Sequence, residues 1–239
     1  MPETPTRPLV VAVDGPSGSG KSSVSRAVAS RLGLAYLDTG AMYRAATWWC
    51  LDQGVALVDG DAVAGAVRAM PLVMGVDPTA PGVHVGGTDV AEPIRTTEIS
   101  AAVSAVATNL EVRDELRRLQ RAAIDAERSD GGFSGGRGIV AEGRDITTVV
   151  APDADARLLL TASEEARLAR RALEIHGQAG VAQVEATRDQ VLRRDSDDAT
   201  VSSFHVAADG VATVDSSALS FEQTVDAVLA VIEQVTADR

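Results

Sequence analysis

One lysine constrains this chain more than any other residue. Of the 22 lysines and arginines, 21 are arginine, and Lys21 stands inside Gly15-Pro16-Ser17-Gly18-Ser19-Gly20-Lys21-Ser22. A compact ammonium can follow a phosphoryl group as it moves, whereas a planar guanidinium suits a fixed, forked contact. The surrounding pattern is G-x-x-x-x-G-K-S, the phosphate-binding P-loop. Its context agrees. Leu9-Val10-Val11-Ala12-Val13 is a short β-branched apolar run of the kind buried in parallel sheets. After the loop, Val24, Ala27, Val28, Arg31 and Leu32 recur at helical spacing, and Gly33 supplies a stop. Glycines let successive N–H groups turn toward one anion, and the helix N-terminus adds about half a positive charge. Gly15 to Ser23 are therefore read as the site of a nucleoside triphosphate. Lys21 would sit on the transferring phosphoryl, with the Ser22 hydroxyl on Mg²⁺ beside the ATP phosphates and water.

Bulk properties narrow the partners. A formal net charge of −12 and an isoelectric point near 4.7 argue against nucleic-acid and anionic-membrane surfaces. Any arginine cluster is then local and informative. Cys50 stands alone, so no internal disulfide or multi-cysteine zinc site is possible. His84, His176 and His205 lack metal-ligand spacing. No signal peptide or long apolar run is visible, so a reduced cytoplasmic compartment is expected. Met1 to Pro8 is expected to fray.

Four more strand-like runs, Leu34 to Leu37, Gly138 to Ala141, Ala156 to Thr161 and Val211 to Val214, alternate with helical patterns. The fold class is α/β with a largely parallel sheet, in a single domain of residues 1–239. Between Ala69 and Glu92, short runs split by Pro and Gly predict a small antiparallel insert. Helices are expected over Ile94 to Thr108, Val112 to Glu127, from Ser163, over Val181 to Asp195, and over Phe221 to Val235. Asp195 to Gly210 is polar and irregular, a candidate mobile segment.

Other P-loop classes fit poorly. A guanine-reading N-K-x-D segment needs a second lysine, and there is none. Phe133-Ser134-Gly135-Gly136-Arg137 leads into an apolar strand and reads as a surface turn, not as a second nucleotide signature. Two further segments lie at the strand ends where open α/β sheets bind ligands. In Leu37-Asp38-Thr39-Gly40-Ala41-Met42-Tyr43-Arg44, Thr39 is either an N-cap or a ligand hydroxyl, and Arg44 either surface charge or a phosphate fork. Ala141-Glu142-Gly143-Arg144-Asp145 repeats the design after the next strand.

Here the chain resembles the bacterial cytidylate kinases, from about Val10 to Val235. The stretches that carry the resemblance are D-G-P-S-G-S-G-K-S (Asp14–Ser22), L-D-T-G-A-M-Y-R (Leu37–Arg44), I-R-T (Ile94–Thr96), V-R-D-E-L-R-R-L-Q-R (Val112–Arg121) and E-G-R-D-I-T-T-V-V-A-P-D-A (Glu142–Ala154). The resemblance implies a P-loop nucleoside monophosphate kinase fold: a five-stranded parallel sheet flanked by helices, a small antiparallel β insert and a helical lid. It divides the chain into a core (about 8–38, 127–162 and 206–239), a substrate-binding region (39–126) and a lid (163–205). It implies transfer of the ATP γ-phosphoryl to CMP or dCMP with Mg²⁺; a monomer is expected, though the sequence itself does not set the oligomeric state. A kinase for UMP or AMP is the alternative. Thr39, Arg44 and Arg144 would face the CMP phosphate, with Arg95 near it. Ser104 and Arg113 would contact cytosine, Asp145 base or sugar. Arg194 would join the substrate site, and Asp198 would hold the ribose, with Asp197 the alternative register. Arg167, Arg170 and Arg171, spaced i, i+3, i+4, would be lid arginines that close on the phosphates with Lys21 and Arg144. The other reading of that helix face is a solvated one paired with Glu164, Glu165 and Glu174. Asp198-Ala199-Thr200-Val201-Ser202-Ser203-Phe204 departs from the family, which carries another arginine and a Val-Ser-Pro segment here. That departure bears on base selectivity more than on reaction type.

Overall fold

The computed structural model describes residues 7–178 and 180–237. The tail expected to fray lies outside them through Thr6. β1 (Leu9–Asp14) runs through the glycine loop into α1 (Lys21–Leu32), which Gly33 ends in the left-handed region at φ 65°. β2 (Ala35–Asp38) leads directly into α2 (Thr39–Asp52). Asp38 caps that helix by accepting from Ala41 N at 2.8 Å, so Thr39 is its first residue and not its cap. α3 (Gly60–Arg68) follows. The expected insert is three short antiparallel strands, β3 (Leu72–Met74), β4 (Val83–Val85) and β5 (Thr88–Asp89). Gly86 and Gly87 turn β4 into β5 with φ of 58° and 83°, the positive values that a two-residue hairpin demands. Tyr36 N donates to Val76 O at 2.8 Å and ties the insert to β2.

The helix expected from Ile94 is broken. Pro93–Arg95 form a 3₁₀ turn, Thr96 is extended, and α4 spans Thr97–Ala107 with Thr96 as its cap. α5 (Leu110–Ala126) is capped by Asn109. β6 (Gly138–Gly143) then runs two residues beyond the apolar run and delivers Glu142 and Gly143 as strand residues. A wide turn at Ile146–Val150 leads to β7 (Ala156–Thr161). α6 (Glu164–His176) starts at the Ser163 cap, as its sequence predicts. α7 (Val181–Ala199) passes the expected end at Asp195 by one turn. The polar residues there stay helical because Asp195 and Asp198 face arginines. Phe204, in the segment expected to be mobile, is fully buried. β8 (Ala212–Asp215) and α8 (Phe221–Thr236) complete the chain.

The five core strands are all parallel, in the order β2-β6-β1-β7-β8. Alternate residues point to opposite faces, as the pleat requires. Val10, Ala12, Leu37, Ile139 and Ala141 join a core with α2 to α5 and the insert. Val11, Val13, Tyr36, Val140, Leu158 and Leu160 join a second core with α1 and α8. β1 stands at the centre, and its C-terminal end is the switch point where such sheets bind ligands. Among the described residues, no helix is long and apolar enough to cross a membrane.

β1 and β6 approach closely at Leu9 and Gly138. Gly138 has φ 115°, and a Cβ there would lie 2.0 Å from Leu9 O. Gly138→Ala should therefore destabilise the fold by roughly 3 kcal/mol or more. Urea unfolding checks this; a loss below about 1 kcal/mol would show that the strands can part without cost.

Candidate active site

The loop after β1 curls over the α1 N-terminus, with Gly18 and Gly20 at φ 77° and 86°. A Cβ on Gly18 would lie 2.6 Å from Arg167 O, so the α6 backbone rests on the loop only because that residue is glycine. Behind Lys21 stands Glu142, the last-but-one residue of β6. Strand register puts it beside Val13 and Asp38. Its Oε1 accepts from Ser22 Oγ at 2.6 Å, Lys21 Nζ lies 3.9 Å from Oε2, and Oε2 has no hydrogen-bond partner. Burial, then Asp38, pushes the Glu142 carboxyl up to about 7. Burial likewise pulls the Lys21 ammonium down, against the attraction of Glu142. Each offsets the cost of burying the other only in part, across 3.9 Å. Glu142 had no role in the sequence reading; its place at a strand end beside β1 was the available signal.

A second cationic group lies across the cavity. Arg44 Nη1 donates to Ser100 Oγ at 2.8 Å and to Ile94 O at 3.3 Å, so α4 aims this side chain. Burial first, then Arg194 and Arg171, draws the Arg44 guanidinium down to about 9. Arg194 is drawn down to about 10 by burial and by Arg144, despite Asp198. Arg95, more exposed, sits 3.6 Å from Asp38. Thr39 donates to Glu142 O at 2.8 Å, and its Oγ1 would lie 2.4 Å from a Cβ on Gly143. The E-G-R-D glycine thus lets the two strand-end segments touch.

Arg113 and Asp145 form a buried pair at 2.7 Å, and Arg117 joins Asp145 at 2.8 Å. Arg113 also lies over the Tyr43 ring. The Arg144 Nη1 contacts Asp195 at 2.7 Å, its Nε contacts Asp198 at 2.8 Å, and its guanidinium lies 4.4 Å from the Phe204 ring centre. Each of these three arginines is thus held by a buried acid. Arg170 donates to Ser19 O, Ser216 Oγ and Ser216 O, which fixes α6 to the loop and to the end of β8.

One cavity of about 700 Å³ connects these groups. The loop from Ser17 to Ser23, Thr39, Arg44, Arg95, Arg113, Arg144, Asp145, Arg170, Arg171, Arg194 and Asp198 line it. Gly15, Pro16, Ser104, Arg167 and Asp197 are not among its lining residues. The α4 wall is supplied by Val103 and Ala107. Arg167 is buried instead against Asp195 and Ser17 O. The insert adds Met74, Gly75, Pro81, Gly82 and Val83, and the α8 end adds Leu219 and Phe221.

Residues 11–234 match the family model described as cytidylate kinase. A cytidylate kinase of Streptomyces avermitilis is 47% identical over 228 residues, covering 95% of this chain and 93% of its own. One from Nocardia farcinica is 48% identical over 230 residues, covering 95% and 94%. One from Cutibacterium acnes is 47% identical over 227 residues, covering 94% and 96%.

The raised Glu142 carboxyl makes stability pH-dependent. Its folded value lies above the unfolded one, so its contribution is full below about 4.5 and fades as pH rises through about 7. Relative to Glu142→Gln, the unliganded wild type should lose on the order of 2 kcal/mol between pH 5 and pH 8. Urea midpoints at both pH values measure it. A difference that does not change with pH would mean that Glu142 is ionised throughout.

Proposed function

The chain belongs to the cytidylate kinase family, and from that premise we propose how its cavity divides the work of phosphorylating CMP and dCMP with ATP. The reaction gives CDP or dCDP and ADP. One observation carries the division: a single cavity holds a glycine loop with a lysine at one side and a separate group of under-neutralised arginines at the other. A protein that only bound a triphosphate would have no use for the second group.

The donor triphosphate lies in the Ser17–Ser23 loop, against its N–H groups and the α1 N-terminus. Lys21 stays with the γ-phosphoryl as it moves. The acceptor phosphate sits among Arg44, Arg95, Arg171 and Arg194, with Thr39 and Arg144 at the join. The buried Arg113–Asp145 pair and Tyr43 take the cytosine end, and Asp198 the ribose. Ser104, next to the cavity-lining Val103 on α4, serves the base end as well. An oxygen of the CMP phosphate attacks the γ-phosphorus, and the bond from that phosphorus to the β–γ bridging oxygen breaks. No protein nucleophile is required, so the work is alignment and charge compensation. Helices α6 and α7, with the chain to residue 205, serve as the lid, and residues 39–126 as the acceptor region.

Mg²⁺ fits the donor end. Ser22 Oγ and the unpartnered, buried Glu142 Oε2 are hard oxygens beside the phosphate loop. Such a cation, held mostly by phosphate and water oxygens, needs few protein ligands and supplies charge neutralisation at the β- and γ-phosphates.

ADP formation with CMP, dCMP, UMP and AMP tests the assignment. The cytidine substrates should lead by at least tenfold in kcat/KM; a lead for AMP or UMP would reassign the acceptor. Lys21→Met should fold but lose on the order of 10³-fold in kcat. A variant within tenfold of wild type would remove Lys21 from its role. Arg113→Ala should raise KM for CMP more than KM for ATP, with ~1–3 kcal/mol of base selectivity lost. Unchanged selectivity would assign base reading to another segment.

A further inference from the structure

Asp195 has no place in the division of the cavity above, yet it joins three distant segments. Its side chain is 6% exposed. Oδ1 accepts from Ser17 N at 3.1 Å and from Arg144 Nη1 at 2.7 Å, and Oδ2 accepts from Arg167 Nη1. The same Arg167 nitrogen donates to Ser17 O at 2.9 Å. Both backbone polar atoms of Ser17 are thus held by one buried ion pair. Gly18, next to Ser17, supports the α6 backbone at Arg167. Burial disfavours the Asp195 charge, but Arg144, the Ser17 N–H and Arg167 outweigh it and hold the carboxyl below its ordinary value.

We propose that Asp195 is a positioning residue for phosphoryl transfer, acting through Arg144 and the Ser17 end of the phosphate loop. The proposal rests on the reading that this loop holds the donor triphosphate. Arg144 lines the cavity; Asp195 is set behind it. Asp195 takes one nitrogen of the Arg144 fork, Asp198 takes another, and the buried Phe204 ring covers one face. An arginine constrained on three sides cannot swing to meet a phosphate. Its aim is set in advance by α7. The Arg167–Asp195 pair fixes α7 and α6 to the loop itself, so the donor site and the Arg144 guanidinium share one frame. In a reaction catalysed by alignment, a displacement of about 1 Å costs on the order of 10²-fold.

Asp195→Asn keeps the shape and removes the charge. With ATP and CMP, kcat should fall about 10- to 100-fold while KM for each changes less than about threefold. In an Arg144→Ala background the same substitution should cost clearly less than it does in the wild type, because the share routed through Arg144 is already gone and only the share routed through Ser17 remains. A purely structural role would lower the melting temperature with kcat unchanged, and would overturn the proposal. A lower KM for ATP with unchanged or faster turnover would mark Asp195 as a competing anion and would also overturn it. Additive losses with Arg144→Ala would exclude the route through Arg144. Wild-type enzyme, assayed alongside, separates the cases: if it forms no ADP with CMP, the parent reading fails, not this one.

Discussion

The site hangs from one buried carboxylate at the end of the central strand. Asp14 accepts from Ile146 N at 2.8 Å, Thr147 N at 2.9 Å and Thr147 Oγ1 at 2.6 Å. Burial raises its pKa, and those three donors offset part of that cost. The next residue, Gly15, begins the phosphate loop; the residues just before Ile146 are Arg144 and Asp145. One side chain therefore ties the glycine loop after β1 to the turn that carries Arg144 and Asp145. Gly15 reinforces the fit, since a Cβ there would meet Leu160 O at 2.3 Å. Central-strand position makes this node rigid, because β1 is paired on both edges, to β6 and to β7.

Around that node the protein concentrates cations that its composition would not suggest. The chain is acidic overall, yet Arg44, Arg171, Arg194 and Lys21 meet in one cavity. Burying them, and then crowding them together, costs free energy, visible in the lowered values of Arg44 and Arg194. Internal acids offset only part of that cost. Asp195 and Asp198 take Arg144 and Arg167, and Asp145 takes Arg113 and Arg117. Arg44, by contrast, leans on neutral oxygens alone among its hydrogen-bond partners. The arginines held by close acids are those that need a fixed direction, while Arg44 faces the place where a phosphate would bring its own charge.

How much of this the sequence discloses depends on whether the cause is local. The glycine loop, the strand before it and the helix after it are legible because backbone conformation within a dozen residues decides them. The hairpin insert is legible for the same reason, through its glycines and prolines. Glu142 is spelled out in the E-G-R-D string, but its partnership with Lys21 and Ser22 follows from parallel register across more than a hundred residues. Asp195 reads as one more polar residue in an irregular stretch, because its three partners come from three other segments. Phe204 lies in an internal segment that reads as polar and mobile, until the Arg144 guanidinium is seen over its ring. Ser104 stands one helical position from Val103, which lines the cavity with Ala107, and its carbonyl accepts from Thr108 Oγ1.

The same logic explains the choice between lysine and arginine. Three arginines at the site make forked or face contacts with fixed partners: Arg144 on two aspartates and a ring, Arg113 on Asp145 and Ala107 O, Arg170 on Ser19 and Ser216. A guanidinium keeps its charge and its plane in such places, even when burial opposes it. Lys21 has no such fork. Its only ion-pair partner among the described residues is Glu142, at 3.9 Å, too long for a hydrogen bond. An arginine there could bond the carboxylate bidentately and would be held by it. The compact ammonium stays loosely held, and loosely held is what a charge must be if it is to accompany a phosphoryl group from one oxygen to the next.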